Sequence, residues 1–213
     1  MQQQPSSDVA FTDAVKAVQT RRHSRSQYER LEARGGFKTE ITSEIAGFLT
    51  DIDTAFLATA TSAGQPYAQH RGGPKGFIKV LGSHTIGFAD YSGNRQYISV
   101  GNLSENQRAF LILMDYVHRR RVKIWGRARI SEDADVMTQL MPAGYNARPE
   151  QAILFDVDAW DANCPRHIPQ KFDAVDVSAA LDALQAKLDA AEAELTRLRT
   201  GLASSRAPTG EMA

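Results

Sequence analysis

From Thr54 to Trp160 the chain breaks into short runs of β-branched and aromatic residues separated by turn residues, and this punctuation constrains the fold more than any other feature. The runs are Thr54 to Thr61, Pro66 to Arg71, Phe77 to Leu81, Thr85 to Asp90, Ala109 to Tyr116, Arg121 to Ile130 and Ala152 to Trp160. Ala63-Gly64 and Gly82-Ser83 are placed to supply the positive backbone angles of tight hairpins. The run at 121 alternates, with Val122, Ile124, Ala128 and Ile130 on one side and Lys123, Trp125, Arg127 and Arg129 on the other. One side is core and the other is wet or holds a ligand. The pattern predicts an antiparallel meander or barrel.

Helical periodicity appears only at the flanks. Residues 1 to 8 are polar and expected to fray, and Phe11, Val15 and Val18 then share a helical face before the basic exit Arg21-Arg22-His23-Ser24-Arg25. Ile41, Ile45, Phe48, Leu49 and Ile52 predict a second helix, capped by Thr42 or Ser43, with Glu44 suiting the positive end of its dipole and its stripe packed on the sheet. Near the C-terminus Leu181, Leu184, Leu188, Ala191, Leu195, Leu198 and Leu202 alternate by three and four among charged residues and alanine. That stripe is either a short coiled-coil seam or the face of a helix lying on the chain's own barrel.

With 213 residues and 42% hydrophobic content, the chain supports one packed domain with appendages. The expected division is a helical segment over 1–36, a barrel domain over 37–172, an amphipathic helix over 173–202 and a disordered tail over 203–213. Lys+Arg and Asp+Glu both count 25, so no net field draws the chain to nucleic acid or to acidic membranes. The single cysteine, Cys164, excludes an internal disulfide, no apolar run is long enough to span a bilayer, and the start of the chain lacks the pattern of a secretion signal. A cytoplasmic protein is expected.

Polar chemistry concentrates in two stretches, each following a predicted strand. Gln69 to Lys79 combines three glycines with Arg71, Lys75 and Lys79, so that backbone can approach a ligand closely while cations meet a phosphate. It carries neither a dinucleotide fingerprint nor a Walker motif, and an ordinary basic surface loop explains it equally well. In Asp90 to Tyr97, Gly93-Asn94-Arg95 is expected to open a short helix whose free N–H groups, with a guanidinium, form an anion site. The competing account of Arg95 is a solvated surface charge.

The order "ATATSAGQPYAQHRGGPKGFIKVL", "IGFADYSGNRQYISVGNL" and "RRRVKIWGRARI" resembles the flavin-binding core of the pyridoxamine 5'-phosphate oxidase-like split-barrel family, over roughly residues 37 to 170. Within that family it resembles a bacterial branch carrying "QHRGGPKGF", "GNRQY" and "NCPRHI". The resemblance implies an α+β, β-dominated fold: a six- or seven-stranded antiparallel split β-barrel with N-terminal helices and a C-terminal amphipathic or coiled-coil helix. It implies FMN as cofactor, held in a groove between the subunits of a homodimer. It also implies that Arg71 to Lys79 grip the flavin phosphate and ring edge, and that Asp90 and Gly93-Asn94-Arg95 match the next phosphate loop. There Arg95 stands where the family has lysine, and Asn94 replaces an arginine. Asn102 matches the asparagine at the family's helix end. Arg121 falls where a glutamine meets the isoalloxazine, Gly126 closes that motif, and a cation there would favour reduced, anionic flavin. The implied cofactor-binding set is Gln69, His70, Arg71, Gly72, Lys75, Gly76, Phe77, Lys79, Asp90, Asn94, Arg95, Asn102, Arg121 and Lys123.

Departures from the family pattern matter equally. The oxidases hold pyridoxal phosphate with an Arg-x-His segment near an upstream tryptophan, whereas this chain has Trp160 and then Cys164-Pro165-Arg166-His167. Trp160, Cys164 and His167 are therefore candidates for the substrate side, and pyridoxamine phosphate oxidation itself is not implied. Cys164, His167, His70 and Asp161 lack a second close ligand pair, so no metal is expected. Cys164 reads as a redox-active thiol or, more simply, as an inert buried cysteine. Trp125 and Tyr97 could stack on a flat ring or serve as core aromatics. The expected activity is FMN-dependent oxidation or reduction of a small molecule, with no catalytic acid or base named. The alternatives are a non-enzymatic flavin or haem module, with His70 or His167 as haem ligand, and a deazaflavin-dependent reductase.

Overall fold

A computed structural model describes residues 4–163 and 165–205. Cys164 lies outside them, as do 206–213 of the expected tail. The elements are a 3-10 turn at Ser6–Val9, α1 (Asp13–Arg21), α2 (Arg25–Glu32), α3 (Ser43–Asp51), β1 (Thr54–Ala60), β2 (Pro66–Gly72), β3 (Lys79–Val80), β4 (Thr85–Tyr91), α4 (Ile98–Glu105), β5 (Arg108–Asp115), β6 (Arg120–Ser131), α5 (Ala134–Leu140), β7 (Pro149–Asn163) and α6 (Ala174–Ser205). The chain divides into two compact units between Pro169 and Gln170.

The first unit is an α+β split barrel. Its seven strands form one antiparallel sheet in the order β2-β1-β5-β6-β7-β4-β3. Alternation along each strand sends one set of side chains inward. Ala55 and Leu57 of β1, Leu111 and Leu113 of β5, Val122 and Ile124 of β6 and Phe155 of β7 are buried in a single cluster with Ile45, Phe48 and Leu49 of α3. The expected α3 stripe is thus core. Thr42 stands at its N-cap but makes no side-chain capping bond. The segment between β2 and β3 ties into the same cluster through Phe77 and Ile78. Gly76 there takes a positive φ of 74° and donates its N–H to Ile52 O at 3.0 Å.

β6 keeps the expected alternation, with Val122, Ile124 and Ala128 buried and Arg127 and Arg129 exposed. Its register with β7 slips between Trp125, opposite Ala159, and Gly126, opposite Val157. Asp158 is the extra residue of this bulge. A Cβ on Gly126 would lie 2.0 Å from Asp156 O and 2.6 Å from the Phe155 ring, so only glycine fits.

Several local expectations are corrected. The β3 run shrinks from Phe77–Leu81 to Lys79–Val80, because Phe77 and Ile78 turn into the core. Gly64 has φ 88°, as its hairpin requires, but Gly82 and Ser83 are not among the residues with positive φ; Leu81 and Gly82 both donate to Thr85 O and close that turn without it. Of the segment expected to fray, Ser6–Val9 forms a 3-10 turn in which Ser7 is buried and the Ser6 hydroxyl donates to Gly35 O at 3.0 Å. Val15 and Val18 face solvent at 37% and 44% exposure, and α1 turns Gln19 inward, where its Oε1 accepts from Arg25 at 2.9 Å. Phe11 precedes α1 and packs edge-on against Phe37, 5.2 Å away, which stacks on Trp125 at 5.2 Å, so the N-terminal aromatics dock on the outer side of β6. The basic stretch is the exit of α1, as expected, with Arg21 in its last turn and Arg22 at its C-cap, but its final residue, Arg25, opens α2 and pairs with Glu32. α5 was not expected; Asp133 caps it by accepting from the N–H groups of Asp135 and Val136, and it sets Leu140 against Ala89, Ala152 and Leu154.

The β5–β6 turn is held by Asp115, which accepts from His118 N at 2.9 Å and Arg120 Nε at 2.7 Å. Burial alone would raise this carboxyl, but the bonds from the His118 backbone, Arg120 and the His118 ring together hold it below the usual carboxylate range. A depressed acid stabilises the fold above its unfolded pKa of about 4, and that contribution is lost as pH falls through the lower folded value. Asp115→Asn is therefore expected to be less stable than the parent at pH 7, with the difference shrinking as the pH drops below about 4. Denaturant midpoints measured across that window check this.

Candidate functional site

β2 and β4 are not hydrogen-bonded neighbours in the sheet, yet their side chains meet across a seam, and the cleft there collects several of the polar groups singled out by the sequence. Period-two alternation points Gln69 and Arg71 of β2 toward the seam, while Ala68 and His70 are exposed on the other side. Arg71 pairs with Asp90 near the end of β4, with side-chain exposures of only 12% and 9%. The second Asp90 oxygen accepts from Gln151 Nε2 of β7 at 2.9 Å. One carboxylate thus joins three strands.

Beyond Tyr91 the chain leaves β4 and crosses the mouth of the cleft. Asn94 Oδ1 accepts from Gln96 N at 3.2 Å, and Ser92 is anchored by its N–H to Arg148 O and by its hydroxyl to Glu150. Arg95 and Tyr97 take left-handed φ values of 58° and 53°. Such a conformation costs a non-glycine residue about 1 kcal/mol or more, and clustering of it often accompanies function. Tyr97 is the N-cap, so the helix opens at Ile98 and not at Gly93-Asn94-Arg95 as expected: the Asn94 turn and the left-handed residues use those positions as loop. Its first N–H groups, which have no partner within the helix, start at Ile98. Ser99 in that first turn donates to Gln69 Oε1 at 3.0 Å.

The resulting cleft encloses about 190 Å³ and is lined by Gln69, Arg71, Asp90, Gly93, Asn94 and Arg95 together with Tyr91, Tyr97, Ser99, Val100 and Glu150. A neighbouring cavity of about 160 Å³ shares Gln69, Arg71, Asp90 and Tyr91 and reaches His70, Gly72 and Phe77. Two arginines and two carboxylates line the first, so it is formally neutral. Arg71 is committed to Asp90, which leaves Arg95 as the more available cation; it is exposed, and its Nε donates to Tyr97 Oη at 3.0 Å. Arg71 Nε and Tyr91 Oη are buried and find no hydrogen-bond partner among the described residues. Burial pushes the Tyr91 hydroxyl pKa up, with Tyr145 adding to the rise, so it is a neutral donor at physiological pH. Unpaired buried donors are costly in a finished protein and mark places where a ligand oxygen fits.

Other residues of the expected set lie elsewhere. Asn102 is buried and its amide donates to Thr59 Oγ1 at 3.0 Å, supporting the core. Lys75 is exposed in the loop after β2, and Lys79 sits opposite Gly87 in β3. Lys123 pairs with Asp161 at 3.1 Å and lies 5.1 Å from the centre of the Trp125 ring. Arg121 lines a separate cavity of about 110 Å³ with Glu44, Phe48 and Trp160, and its Nε is buried without a partner among the described residues. Trp160 donates to Glu40 O at 2.8 Å, and His167 is exposed. No group of three His, Cys, Asp or Glu among the described residues is arranged to hold a metal. Tyr91, Ser99, Val100 and Glu150 were missed as cleft residues, and Gln151 as the support of Asp90. Tyr91 lies within the polar stretch Asp90 to Tyr97 and Ser99 two residues past it, whereas Glu150 and Gln151 arrive from β7 with no local signal.

Residues 41–164, more than half of the chain, match the family model described as Pyridoxamine 5'-phosphate oxidase. A search of the curated proteins finds no match. Among solved structures the chain is similar to HupZ of Group A Streptococcus, at 14% identity over 62% of this chain and 99% of that one, with a TM-score of 0.47. It is also similar to an FMN-binding protein from Syntrophomonas wolfei subsp. wolfei, at 9% identity over 68% of this chain and 97% of that one, with a TM-score of 0.45. The FAD binding protein from Mycobacterium smegmatis is similar at 13% identity over 59% of this chain and 97% of that one, with a TM-score of 0.41. On the match over 41–164, the chain belongs to the pyridoxamine 5'-phosphate oxidase family.

Proposed function

We propose that this chain is a flavoprotein that binds FMN with its phosphate in the cleft between β2, β4 and the start of α4, and that it serves as an oxidoreductase for a small molecule. The observation that carries the reading is that Arg71 and the Gly93–Tyr97 loop, far apart in sequence, line one cleft with two buried donors lacking partners. Those residues fit the polar end of the cofactor: Arg95 swings onto phosphate oxygens, the amides at Ile98 and Ser99 add donors, and Arg71 Nε and Tyr91 Oη meet the remaining oxygens. Bound FMN would supply hydride acceptance at its ring N5. The protein contributes binding and orientation.

Each cavity is smaller than the roughly 300 Å³ at which small-molecule pockets begin, so the ring needs another wall. We place that wall on a second copy of the chain. Support comes from the outer barrel face, where Phe56 and Phe110 and Ile112 are only half-buried and His70 packs edge-on against Phe56 at 5.6 Å. No helix among the described residues is long and apolar enough to cross a membrane. A single cysteine suits a reducing cytoplasm, the proposed location.

Arg95→Ala is expected to weaken FMN binding by about 1.5 to 3 kcal/mol, the worth of a charged hydrogen bond, or roughly tenfold to 150-fold in Kd. Its exposed position leaves the fold intact. Titration of flavin fluorescence checks this, and unchanged affinity would remove Arg95 from the site.

A further inference from the structure

α6 runs without a break from Ala174 to Ser205, 32 residues or about 48 Å of helix. Leu181, Leu184, Leu188, Leu195 and Leu198 are exposed by 62%, 65%, 51%, 51% and 50%. Their spacing assigns Leu181, Leu188 and Leu195 to the first core position of a heptad, and Leu184, Ala191 and Leu198 to the second. Five half-exposed or more exposed leucines along one edge of a helix are a hydrophobic stripe that needs a cover, and the charges beside the stripe say which cover fits.

We propose that α6 pairs with α6 of a second copy of this chain as a parallel, in-register coiled coil. In that arrangement a residue flanking the seam faces the residue five positions further on in the opposite helix. Lys187 then meets the partner's Glu192, and Glu194 meets the partner's Arg199. The two-fold axis repeats both contacts, giving four attractive pairs and no repulsive one. Ala180 faces Gln185 in the remaining register position, which is neutral. An antiparallel pair centred on the same stripe sets Lys187 against Glu194 and leaves Glu192 and Arg199 without opposite charges. Glu194 already binds Arg197 of its own helix at 2.7 Å, but both side chains are more than half exposed and free to exchange partners. Charge complementarity thus selects the parallel register.

The test is disulfide capture in the full chain. Leu184→Cys, made with and without Cys164→Ser so that links through the native thiol are recognised, is expected to oxidise to a covalent dimer through position 184, because paired core positions come within disulfide reach. Asp182→Cys, one turn-step off the seam, should not. Adding Lys187→Glu should slow capture about tenfold by turning two attractive contacts into repulsive ones. Adding Glu192→Lys to that variant should restore it, which a merely damaged helix would not do. No capture at 184, capture only in mixtures of Leu184→Cys with Leu195→Cys, or indifference to Lys187→Glu would each overturn the proposal.

Discussion

Gly126→Val is expected to lower stability by about 3 kcal/mol, at the upper end of overpacking penalties. A Cβ at this position would sit 2.0 Å from Asp156 O, a backbone atom in the neighbouring strand, so relief requires moving β7 rather than rotating a side chain. β7 cannot shift cheaply, since it pairs with both β6 and β4 and contributes Ile153 and Phe155 to the core. The damage should also reach the Asp90–Gln151 contact at the cleft. Gly101→Ala is the control: nothing lies within 4 Å of its Cβ, and a helix-interior alanine should stabilise α4 by about 0.5–1 kcal/mol. Chemical denaturation of the two variants beside the parent measures both effects.

Asp90→Ala should be comparably severe, at about 3 to 5 kcal/mol, because it leaves the Arg71 guanidinium buried without its counter-charge and the Gln151 amide without its acceptor. Most of that cost is the stranded cation rather than the lost attraction. Replacing both partners with apolar residues, as in Arg71→Met with Asp90→Leu, is therefore expected to recover most of the stability. The double variant nonetheless removes the buried Nε donor, so on the reading proposed here it folds and loses FMN. A double variant as unstable as Asp90→Ala would show that the pair contributes more than mutual neutralisation.

The barrel was legible because its code is local. Strand alternation at Val122, Ile124 and Ala128 and the α3 stripe at Ile45, Phe48 and Leu49 each report burial within a few residues, and both came out as the pattern implies. In the N-terminal segment tertiary contacts override the local pattern. Val15 and Val18 match a helical face by spacing, yet α1 buries Gln19 because Arg25 offers it a partner. Gly93-Asn94-Arg95 looked like a helix opening, but an asparagine side chain competing for the backbone and two left-handed residues delay the helix to Ile98. In the cleft, the contributions of β2 and the Gly93–Tyr97 loop could be named from composition. Those of β7 could not, since Glu150 and Gln151 reach the site only through the register of β7 with β4. Likewise nothing in the sequence announced that Arg71 would be neutralised by Asp90, a pairing that depends on how the barrel closes.

The central claim is that this cleft holds the phosphate of a flavin, and comparison of FMN with riboflavin tests it most directly. The two share the ring and ribityl chain and differ only in the phosphate, so titrating the full chain with each isolates that group. The account predicts that FMN binds at least tenfold more tightly, and that Arg95→Ala narrows the gap. Equal affinities for the two, or no binding of FMN at all, would contradict it.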